Sequence, residues 1–208
     1  MSNTGHHQSS GLWSVILAAG DSSRLKMPKQ LVRYRSQFLL SHAINSAEIV
    51  TPDQVLVVLG SHALKLGLLL KRHHPNTHTY TNTDWKKGMG SSLSAGISMM
   101  PESAKAALIL VSDQPYVGTK SLNRLVQTWQ RHPSHVAAAY YKSNVGVPAI
   151  LPRKFWSKAK KLSGDTGARE LLRDSATPVS RVPMPEAILD IDTQKDVENL
   201  KNTPPYLS

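Results

Sequence analysis

Residues 15–29 read VILAAGDSSRLKMPK, and this stretch decides the fold class. Its first five residues are all apolar, and the run ends at Gly20, where a turn with three cationic side chains begins. A short strand that is apolar on both faces is typical of the centre of a parallel sheet, because helices cover both sides of such a sheet. Residues 55–59 and 107–111 have the same character. These three runs predict central parallel strands.

Segments with helical periodicity separate these runs. The apolar positions recur at helical spacing in two sets, Leu40, Ala43, Ile44 and Ala47, and Leu122, Leu125, Val126 and Trp129. Each set gives a helix one apolar stripe for packing against a sheet. Further strands are predicted at residues 136–140 and 145–151, a basic helix at 154–161, and a terminal helix from Thr193, with Thr193 and Asp196 as a capping box. The pattern predicts a three-layer α/β fold, with a mostly parallel twisted sheet and helices on both faces.

The composition limits the classes of function. With 208 residues, 40% of them hydrophobic, we expect one domain at 12–201 with tails at 1–11 and 202–208. No apolar run approaches the roughly 20 residues of a membrane-spanning helix. The first residues lack the apolar middle of a signal peptide, so we expect a cytoplasmic protein without a membrane partner. The formal net charge of +11 favours an anionic partner, although a solvated basic surface explains it too. The sequence has no recognisable DNA-reading helix, zinc finger or RNA-binding signature, which argues against a specific nucleic acid.

The turn after the first strand has the composition of a phosphate-binding site. Small residues and Gly20 allow backbone N–H groups to approach a phosphate, while Arg24, Lys26 and Lys29 supply positive charge. The turn lacks the Gly-Lys-Ser/Thr ending of a Walker loop and has too few glycines for a dinucleotide-binding turn. Its spacing alone is also compatible with an ordinary turn that exposes charged side chains.

Two acidic segments are candidates for a magnesium site. Asp113 follows the predicted strand at 107–111, at the carboxyl end where open α/β sheets bind their ligands. Carboxylate oxygens are the protein ligands that Mg²⁺ prefers, although a turn or helix cap is the alternative role for Asp113. Residues 188–192 are predicted as a strand that places Asp190 and Asp192 on one face. Because Asp192 could instead begin the terminal helix, Asp190 is the better candidate for the second ligand.

Residues 17–29 resemble the signature Leu-Ala-Ala/Gly-Gly-x-Ser-x-Arg-Met-Gly-x-x-Lys of a nucleotidyltransferase family. Five more blocks resemble motifs of that family, at residues 88–93 (GMGSSL), 112–115 (SDQP), 146–148 (GVP), 164–169 (GDTGAR) and 190–193 (DIDT). Their order and spacing are similar to the molybdopterin cytidylyltransferase branch of the MobA/MocA-like nucleotidyltransferases, and they span most of the chain. This chain departs from the signature at Lys26, where the family usually has Gly.

The resemblance implies a Rossmann-like fold of the nucleotide-diphospho-sugar transferase type. It also implies Mg²⁺-dependent transfer of CMP from CTP to the phosphate of the molybdopterin cofactor, with release of pyrophosphate. The implied catalytic residues are Arg24, Lys29 and Asp113, which also bind the nucleotide together with Leu17, Ala18, Ala19, Gly20 and Ser92. The implied metal ligands are Asp113 and Asp190, and the implied acceptor-binding residues are Gly146, Pro148 and Asp192.

Several alternatives stay open at the level of the sequence. The Ala18-Ala19 pair resembles cytidylyl members and favours CTP, but GTP or another phosphorylated acceptor remains an alternative. Ser92 could cap a helix instead of contacting the base, Asp165 is better explained as a helix cap, and Trp85 as an anchoring aromatic side chain. The implied partners include a recipient molybdoenzyme or its chaperone. A noncatalytic basic module that binds nucleic acid or hands on a cofactor is the alternative from another class of protein.

Overall fold

A seven-stranded sheet forms the centre of the computed structural model, which describes residues 11–164, 168–174 and 176–202. The strands are β1 (Leu12–Ala18), β2 (Arg33–Tyr34), β3 (Gln37–Phe38), β4 (Val55–Leu59), β5 (His78–Thr81), β6 (Ala106–Val111), β7 (Val136–Tyr141), β8 (Asn144–Pro152) and β9 (Val179–Pro183). The helices are α1 (Leu39–Val50), α2 (Ala63–His73), α3 (Met89–Ser98), α4 (Thr119–Arg131), α5 (Trp156–Ala159), α6 (Ala168–Arg173) and α7 (Gln194–Asn202).

The strand order in the large sheet is β5-β4-β1-β6-β8-β7-β9, and β2 and β3 form a separate hairpin. Strand β1 lies between β4 and β6 and is parallel to both, while β8 is antiparallel to β6 and β7. The sheet is therefore mostly parallel, as the apolar runs predict. Because β1 and β6 are parallel neighbours, the turns that follow them leave the sheet at the same edge.

Helices cover both faces of the sheet, which confirms the three-layer fold. On one face α1, α2 and α4 pack on a cluster that includes Ile16 of β1, and on the other α3, α5 and α6 pack on one that includes Val15. Alternate residues of β1 thus point to opposite layers, and both layers exclude water from it. This two-sided burial is the reason that the run at residues 15–19 contains no polar residue.

A third, smaller cluster lies away from the sheet and joins the turn after β1 to the C-terminal helix. Leu25 of that turn is buried with Ile191 and with Val197 of α7, and Tyr116 from the turn after β6 packs against the same group. Three segments that are distant in sequence therefore share one apolar contact. This contact holds the two turns and the segment before α7 in fixed relative positions.

The structure differs from the sequence-based expectation at three places. Residues 188–192 do not form the predicted strand: a 3-10 turn at Pro185–Ile188 is followed by irregular backbone, with Leu189 exposed and Ile191 buried. The predicted basic helix at 154–161 is shorter, because a 3-10 turn at Arg153–Phe155 precedes α5. The edge strand β9 and the hairpin of β2 and β3 were not predicted, since these strands are short and partly polar.

Separate hydrogen bonds hold the first described residue, Gly11, and the start of the last helix, α7. The carbonyl of Gly11 accepts bonds from the amides of Lys105 and Ala106, at 2.6 and 3.2 Å. At the start of α7 the amide of Thr193 donates to Asp196 Oδ2 at 2.8 Å, and the amide of Asp196 donates to Thr193 Oγ1 at 3.3 Å. The predicted capping box is confirmed. Among the residues described, none of the helices is both long and apolar enough to cross a bilayer.

Candidate active site

The turn after β1 and the turn after β6 meet through ion pairs. We call residues 20–29 the cationic turn and residues 112–118 the acidic turn. Lys29 Nζ forms an ion pair with Asp113 Oδ2 and a second one, at 2.9 Å, with Asp192 Oδ1. Arg24 binds the other oxygen of Asp192 at 2.7 Å. The predicted convergence of a cationic turn and an acidic turn is thus found in the structure, and it rests mainly on Lys29.

Gln30 fixes the cationic turn to the end of β1, a role that the sequence pattern does not reveal. Its side chain is 1% exposed, and Nε2 donates to the carbonyl oxygens of Ala18 at 3.0 Å and Gly20 at 3.4 Å. The amide of Lys29 donates to Ser22 Oγ at 3.0 Å. These hydrogen bonds therefore hold the backbone at Lys29 and Gln30 to the start of the turn. In the described residues the side chain of Lys29 itself forms ion pairs with carboxylates.

The position at which the family signature has glycine lies in the left-handed region of backbone conformation. Lys26 has φ of 58°, and Ser22 in the same turn has φ of 55°. Glycine adopts this region without steric cost, whereas a residue with a Cβ atom is disfavoured there. Lys26 therefore keeps the backbone path that a glycine would take, and it adds an exposed positive charge to the turn.

The segment before α7 is brought to the acidic turn by a backbone hydrogen bond. The amide of Ile191 donates to the carbonyl of Asp113 at 3.0 Å, and Ile191 is buried in the third apolar cluster. The two residues beside it, Asp190 and Asp192, are thereby held next to Asp113. The predicted strand alternation is wrong, and the roles of the two carboxylates stay predictions.

The charges at this point shift one another's pKa values. Burial alone lowers the pKa of Lys29, but the ion pairs with Asp113 and Asp192 outweigh it, so the pKa is raised. Burial raises the pKa of Asp192, but the bonds from Lys29 and Arg24 reverse the effect and leave it lowered. Asp190 is exposed as a residue, yet burial of its carboxyl and the charge of Asp113 raise its pKa to about 6. Among the described residues Asp190 has no ion pair, and the charge of Lys29 and a hydrogen bond from Gln114 only partly offset the rise in its pKa.

A cleft of about 290 Å³ opens beside these ion pairs. Its lining comes from the end of β1, the cationic turn, the start of α3 and the acidic turn, and includes Leu17, Ala19, Gly20, Lys29, Gln30, Trp85, Ser92 and Asp113. Arg24 is 68% exposed at its side chain and points to Asp192 outside this lining. Ala18 contributes to the site through its carbonyl bond to Gln30. Most of the residues that the family signature implies for nucleotide binding therefore surround one cavity.

The block at residues 88–93 forms the opposite wall, because its two glycines permit an unusual close packing. Gly88 has φ of 94° and precedes α3. A Cβ atom on Gly90 would lie 2.8 Å from the backbone of Ser163, and the Gly90 amide donates to the Gly164 carbonyl at 2.8 Å. A larger residue at Gly90 would push the start of α3 away from that loop and change the shape of the cleft.

Ser92 faces the cleft from inside α3 and does not cap the helix. Gly88 occupies the cap position, without a side-chain cap bond. Ser92 is 3% exposed, and its Oγ accepts a bond from Asn82 Nδ2 at 3.1 Å. Asn82 directly follows strand β5, and no sequence signal pointed to it. Ser92 also lines the cavity to which Ala19 and Gly20 contribute.

Asp113 has one carboxylate oxygen that lacks a hydrogen-bond partner among the described residues. Its Oδ2 binds Lys29, while its Oδ1 is buried without a hydrogen-bond partner among the described residues. A buried carboxylate oxygen without a donor is unfavourable unless a cation contacts it. Within residues 11–164, 168–174 and 176–202 no three His, Cys, Asp or Glu side chains form a complete metal site. Magnesium does not need one, because one or two carboxylates suffice when phosphates and water complete the coordination.

The residues predicted to bind the acceptor lie around the same edge of the sheet. Gly146 and Pro148 are buried in β8, which pairs with β6, and Gln114 of the acidic turn donates to the Val147 carbonyl at 3.4 Å. Asp192, the third predicted acceptor residue, is occupied by Arg24 and Lys29 instead. Asp165 lies outside the described residues. The acceptor role of the GVP block stays a prediction.

Comparisons with known proteins agree with this architecture. The family described as MobA-like NTP transferase domain matches residues 14–180. Nicotine blue oxidoreductase from Paenarthrobacter nicotinovorans is 28% identical over 198 residues, which cover 89% of this chain and 94% of that protein. Rv0371c from Mycobacterium tuberculosis H37Rv, crystallised in complex with manganese, has a TM-score of 0.78 at 25% identity over 94% of this chain and 100% of its own. Molybdopterin-guanine dinucleotide biosynthesis protein A from Archaeoglobus fulgidus shares the fold, with a TM-score of 0.67 at 14% identity over 91% and 96% of the two chains.

Proposed function

Since the chain belongs to the MobA-like NTP transferase family, we propose that it transfers CMP from CTP to the phosphate of molybdopterin and releases pyrophosphate. The observation that carries the proposal is the meeting of Lys29 with Asp113 at the floor of a cleft lined by the family signature. Nucleotidyl transfer needs positive charge for a triphosphate and a carboxylate for its metal ion within a few ångströms of each other. This site supplies both from two adjacent strand ends.

The reaction itself requires little covalent help from the protein. An oxygen of the acceptor phosphate attacks the α-phosphorus of the nucleotide, a new phosphorus–oxygen bond forms, and the bond from the α-phosphorus to the bridging oxygen breaks. Pyrophosphate leaves with that electron pair. The protein contributes by holding the two phosphates in line and by stabilising the charge on the leaving oxygens. We assign this role to Lys29 and the backbone of Gly20, which line the cleft, and to Arg24, which pairs with Asp192 beside it.

A divalent cation completes the proposed site. When bound, magnesium would neutralise part of the charge of the triphosphate and hold its oxygens in place. Asp113 would hold it through the buried Oδ1 that has no partner among the described residues, with Asp190, whose pKa is raised, as the second carboxylate. The manganese in the related Rv0371c structure supports the use of a divalent cation, and the identity of the ion as Mg²⁺ is part of the proposal.

The choice of CTP rests on the residues that surround the cleft. The Ala18-Ala19 pair resembles cytidylyl members of the family, and Ser92 lines the cavity beside Ala19, where its hydroxyl could contact the base. The molybdopterin acceptor would approach from β8, where Gly146 and Pro148 lie next to the acidic turn. The product would then pass to a molybdoenzyme or to its chaperone.

A pyrophosphate-release assay with molybdopterin and each of the four NTPs tests the proposal. We expect turnover with CTP and magnesium, a strong preference for CTP over GTP, and no turnover after chelation of the metal. Turnover with GTP alone would overturn the choice of nucleotide. CTP turnover with another phosphorylated acceptor, but none with molybdopterin, would overturn the choice of acceptor. If no NTP reacts and Asp113→Asn leaves cofactor or nucleic-acid binding unchanged, the chain is the noncatalytic basic module.

A reduction is the second candidate function, because the relative named nicotine blue oxidoreductase aligns over 94% of its length. A cleft that binds a triphosphate also suits the phosphates of a nicotinamide dinucleotide. In that reaction a hydride would pass from a reduced nicotinamide dinucleotide to nicotine blue. Oxidation of the reduced cofactor in the presence of nicotine blue, without any NTP, would favour this candidate. Nucleotide-dependent pyrophosphate release without cofactor oxidation would exclude it.

A further inference from the structure

The ammonium group of Lys29 pairs with the carboxylate that would hold a metal ion, Asp113. It contacts Asp113 Oδ2 and, at 2.9 Å, Asp192 Oδ1, so it lies between two carboxylates. Both side chains of the first pair are largely shielded, with 19% of Lys29 and 13% of Asp113 exposed. At such shielded positions a charge–charge interaction is screened much less than on the surface. A metal ion and this ammonium cannot both lie close to Asp113 without strong repulsion.

The lysine can leave this position without a change of fold. Its backbone is anchored by Ser22 and by the neighbouring Gln30, but its side chain has four methylene groups and makes only ion pairs. Lys29 also lines the cleft that Gly20 borders. A polyphosphate in that cleft would offer the ammonium group several anionic oxygens in exchange for two carboxylates. The long, flexible stem of lysine permits this move, whereas a rigid guanidinium would not make it as easily.

Arg24 provides an internal comparison. It carries the same charge and belongs to the same turn, yet among the described residues it pairs with Asp192 and not with Asp113, and it is 68% exposed at its side chain. It therefore leaves Asp113 untouched. A metal ion at Asp113 competes directly with Lys29, whereas Arg24 affects it only through a screened charge.

We propose that Lys29 acts as an internal cation that keeps the metal site of Asp113 filled until a triphosphate draws the ammonium group into the cleft. This inference rests on the proposed nucleotidyl-transfer site and concerns its order of assembly. The free protein then binds divalent metal weakly, and triphosphate and metal strengthen each other's binding beyond the affinity that they have for one another in solution. The arrangement prevents the buried acids from capturing metal ions without a nucleotide.

Titration of the free protein with Mn²⁺, followed by electron paramagnetic resonance of the unbound ion, tests the proposal without nucleotide or acceptor. The buffer should be mildly alkaline, so that the carboxylates are ionised. We expect Lys29→Met to bind Mn²⁺ about thirtyfold more tightly than the wild type, within the usual range of coupling between sites. The matched control, Arg24→Met, removes the same charge and should change the affinity by no more than about threefold. Adding Asp113→Asn to Lys29→Met should remove the gain.

Equal or weaker Mn²⁺ binding by Lys29→Met would overturn the proposal, since Lys29 would then organise the acids for the metal. An equal gain in Arg24→Met would also overturn it, because net charge alone would explain the effect. If Lys29→Met does not fold, the rate of reductive methylation of Lys29 in the wild type decides, with exposed Lys26 as the internal reference. Faster methylation of Lys29 on adding Mn²⁺ supports displacement, and an unchanged or slower rate contradicts it. Either result is independent of whether CTP is the substrate.

Discussion

The cationic turn and the acidic turn meet at one edge of the sheet but are built in opposite ways. The cationic turn is mostly exposed, has two residues in the left-handed backbone region, and depends on a neighbouring amide, Gln30, for its attachment to β1. The acidic turn has no exposed residue, and its own buried amide, Gln114, donates to the Ala187 carbonyl at 2.8 Å. One turn can therefore move its side chains, and the other holds its carboxylate still.

This difference indicates separate roles for the two turns of the site. Only 13% of the Asp113 side chain is exposed, which suits a group that must hold a metal ion at a defined place. Lys29 and Arg24 lie on exposed or flexible stems, which suits groups that follow phosphates as they bind and leave. Substitutions in the acidic turn should therefore change kcat or the free energy of unfolding. Substitutions in the cationic turn should mainly change nucleotide binding.

The largest effect is expected from Asp113→Asn. The substitution keeps the shape of the side chain but removes the charge that pairs with Lys29 and would hold the metal ion. We expect kcat to fall by at least about a hundredfold, the scale seen when one preorganised electrostatic group is lost. The measurement is the steady-state rate of pyrophosphate release at saturating CTP and magnesium.

The control for this prediction is Asp174→Asn, the same chemical change at an exposed carboxylate that pairs with Lys158 away from the cleft. It should leave kcat within a factor of about two, because exposed ion pairs contribute little. A drop in Asp113→Asn no larger than in this control would mean that the buried acid has no role in the reaction.

The next-largest effect is expected at two buried side-chain amides, those of Gln30 and Gln114. Gln30→Met and Gln114→Met each remove hydrogen bonds to carbonyl groups, and we expect each to lower the free energy of unfolding by about 2 kcal/mol. Because Gln30 holds the cationic turn, its loss should also raise KM for the nucleotide, while loss of Gln114 should lower kcat through displacement of Asp113. Urea unfolding and steady-state kinetics measure the two effects. Equal changes of KM and kcat in both variants would contradict the proposed division between the turns.

The sequence predicted the parts of the site that burial and chain order determine. The apolar runs around Ile16 and Leu108 predicted parallel neighbours, and parallel neighbours bring the following turns together, so the meeting of Lys29 and Asp113 followed from topology. Gln30 and Asn82 were missed, because a buried amide that binds distant carbonyl or hydroxyl groups leaves no periodic signal. The path of residues 188–192 was predicted wrongly for two reasons. The hydrogen bond from Ile191 to Asp113 depends on tertiary contacts, and the alternation of apolar and acidic residues is also typical of a strand.

A smaller effect is expected from pH at Asp190, which lies between the two turns. Its pKa is raised from 3.8 to about 6, so between these values the folded chain binds more protons at this group than the unfolded chain. The stability that Asp190 contributes is therefore complete below the lower value and is lost as the pH rises through the upper one. Because the residue is exposed, screening by solvent should limit the loss to about 1 kcal/mol.

The measurement is the difference in unfolding free energy between the wild type and Asp190→Asn across this range of pH. The wild type should lose stability relative to the variant as the pH rises, whereas the lowered pKa of Asp192 gives the opposite trend in both proteins. A constant difference would show that the carboxyl of Asp190 titrates as it does in the unfolded chain. It would also remove the reason to prefer Asp190 as the second metal ligand.

The smallest effect concerns the backbone of the cationic turn. Lys26 has φ of 58°, a conformation that costs a residue with a Cβ atom about 1 kcal/mol, whereas glycine adopts it freely but loses more entropy on folding. Lys26→Gly should therefore change the free energy of unfolding by no more than about 0.5 kcal/mol, in the stabilising direction. Lys26→Ala, the matched control, removes the same charge and keeps the Cβ atom, so it should gain nothing. If the alanine variant is as stable as the glycine variant, repulsion among the cations determines the stability of the turn, and not its backbone.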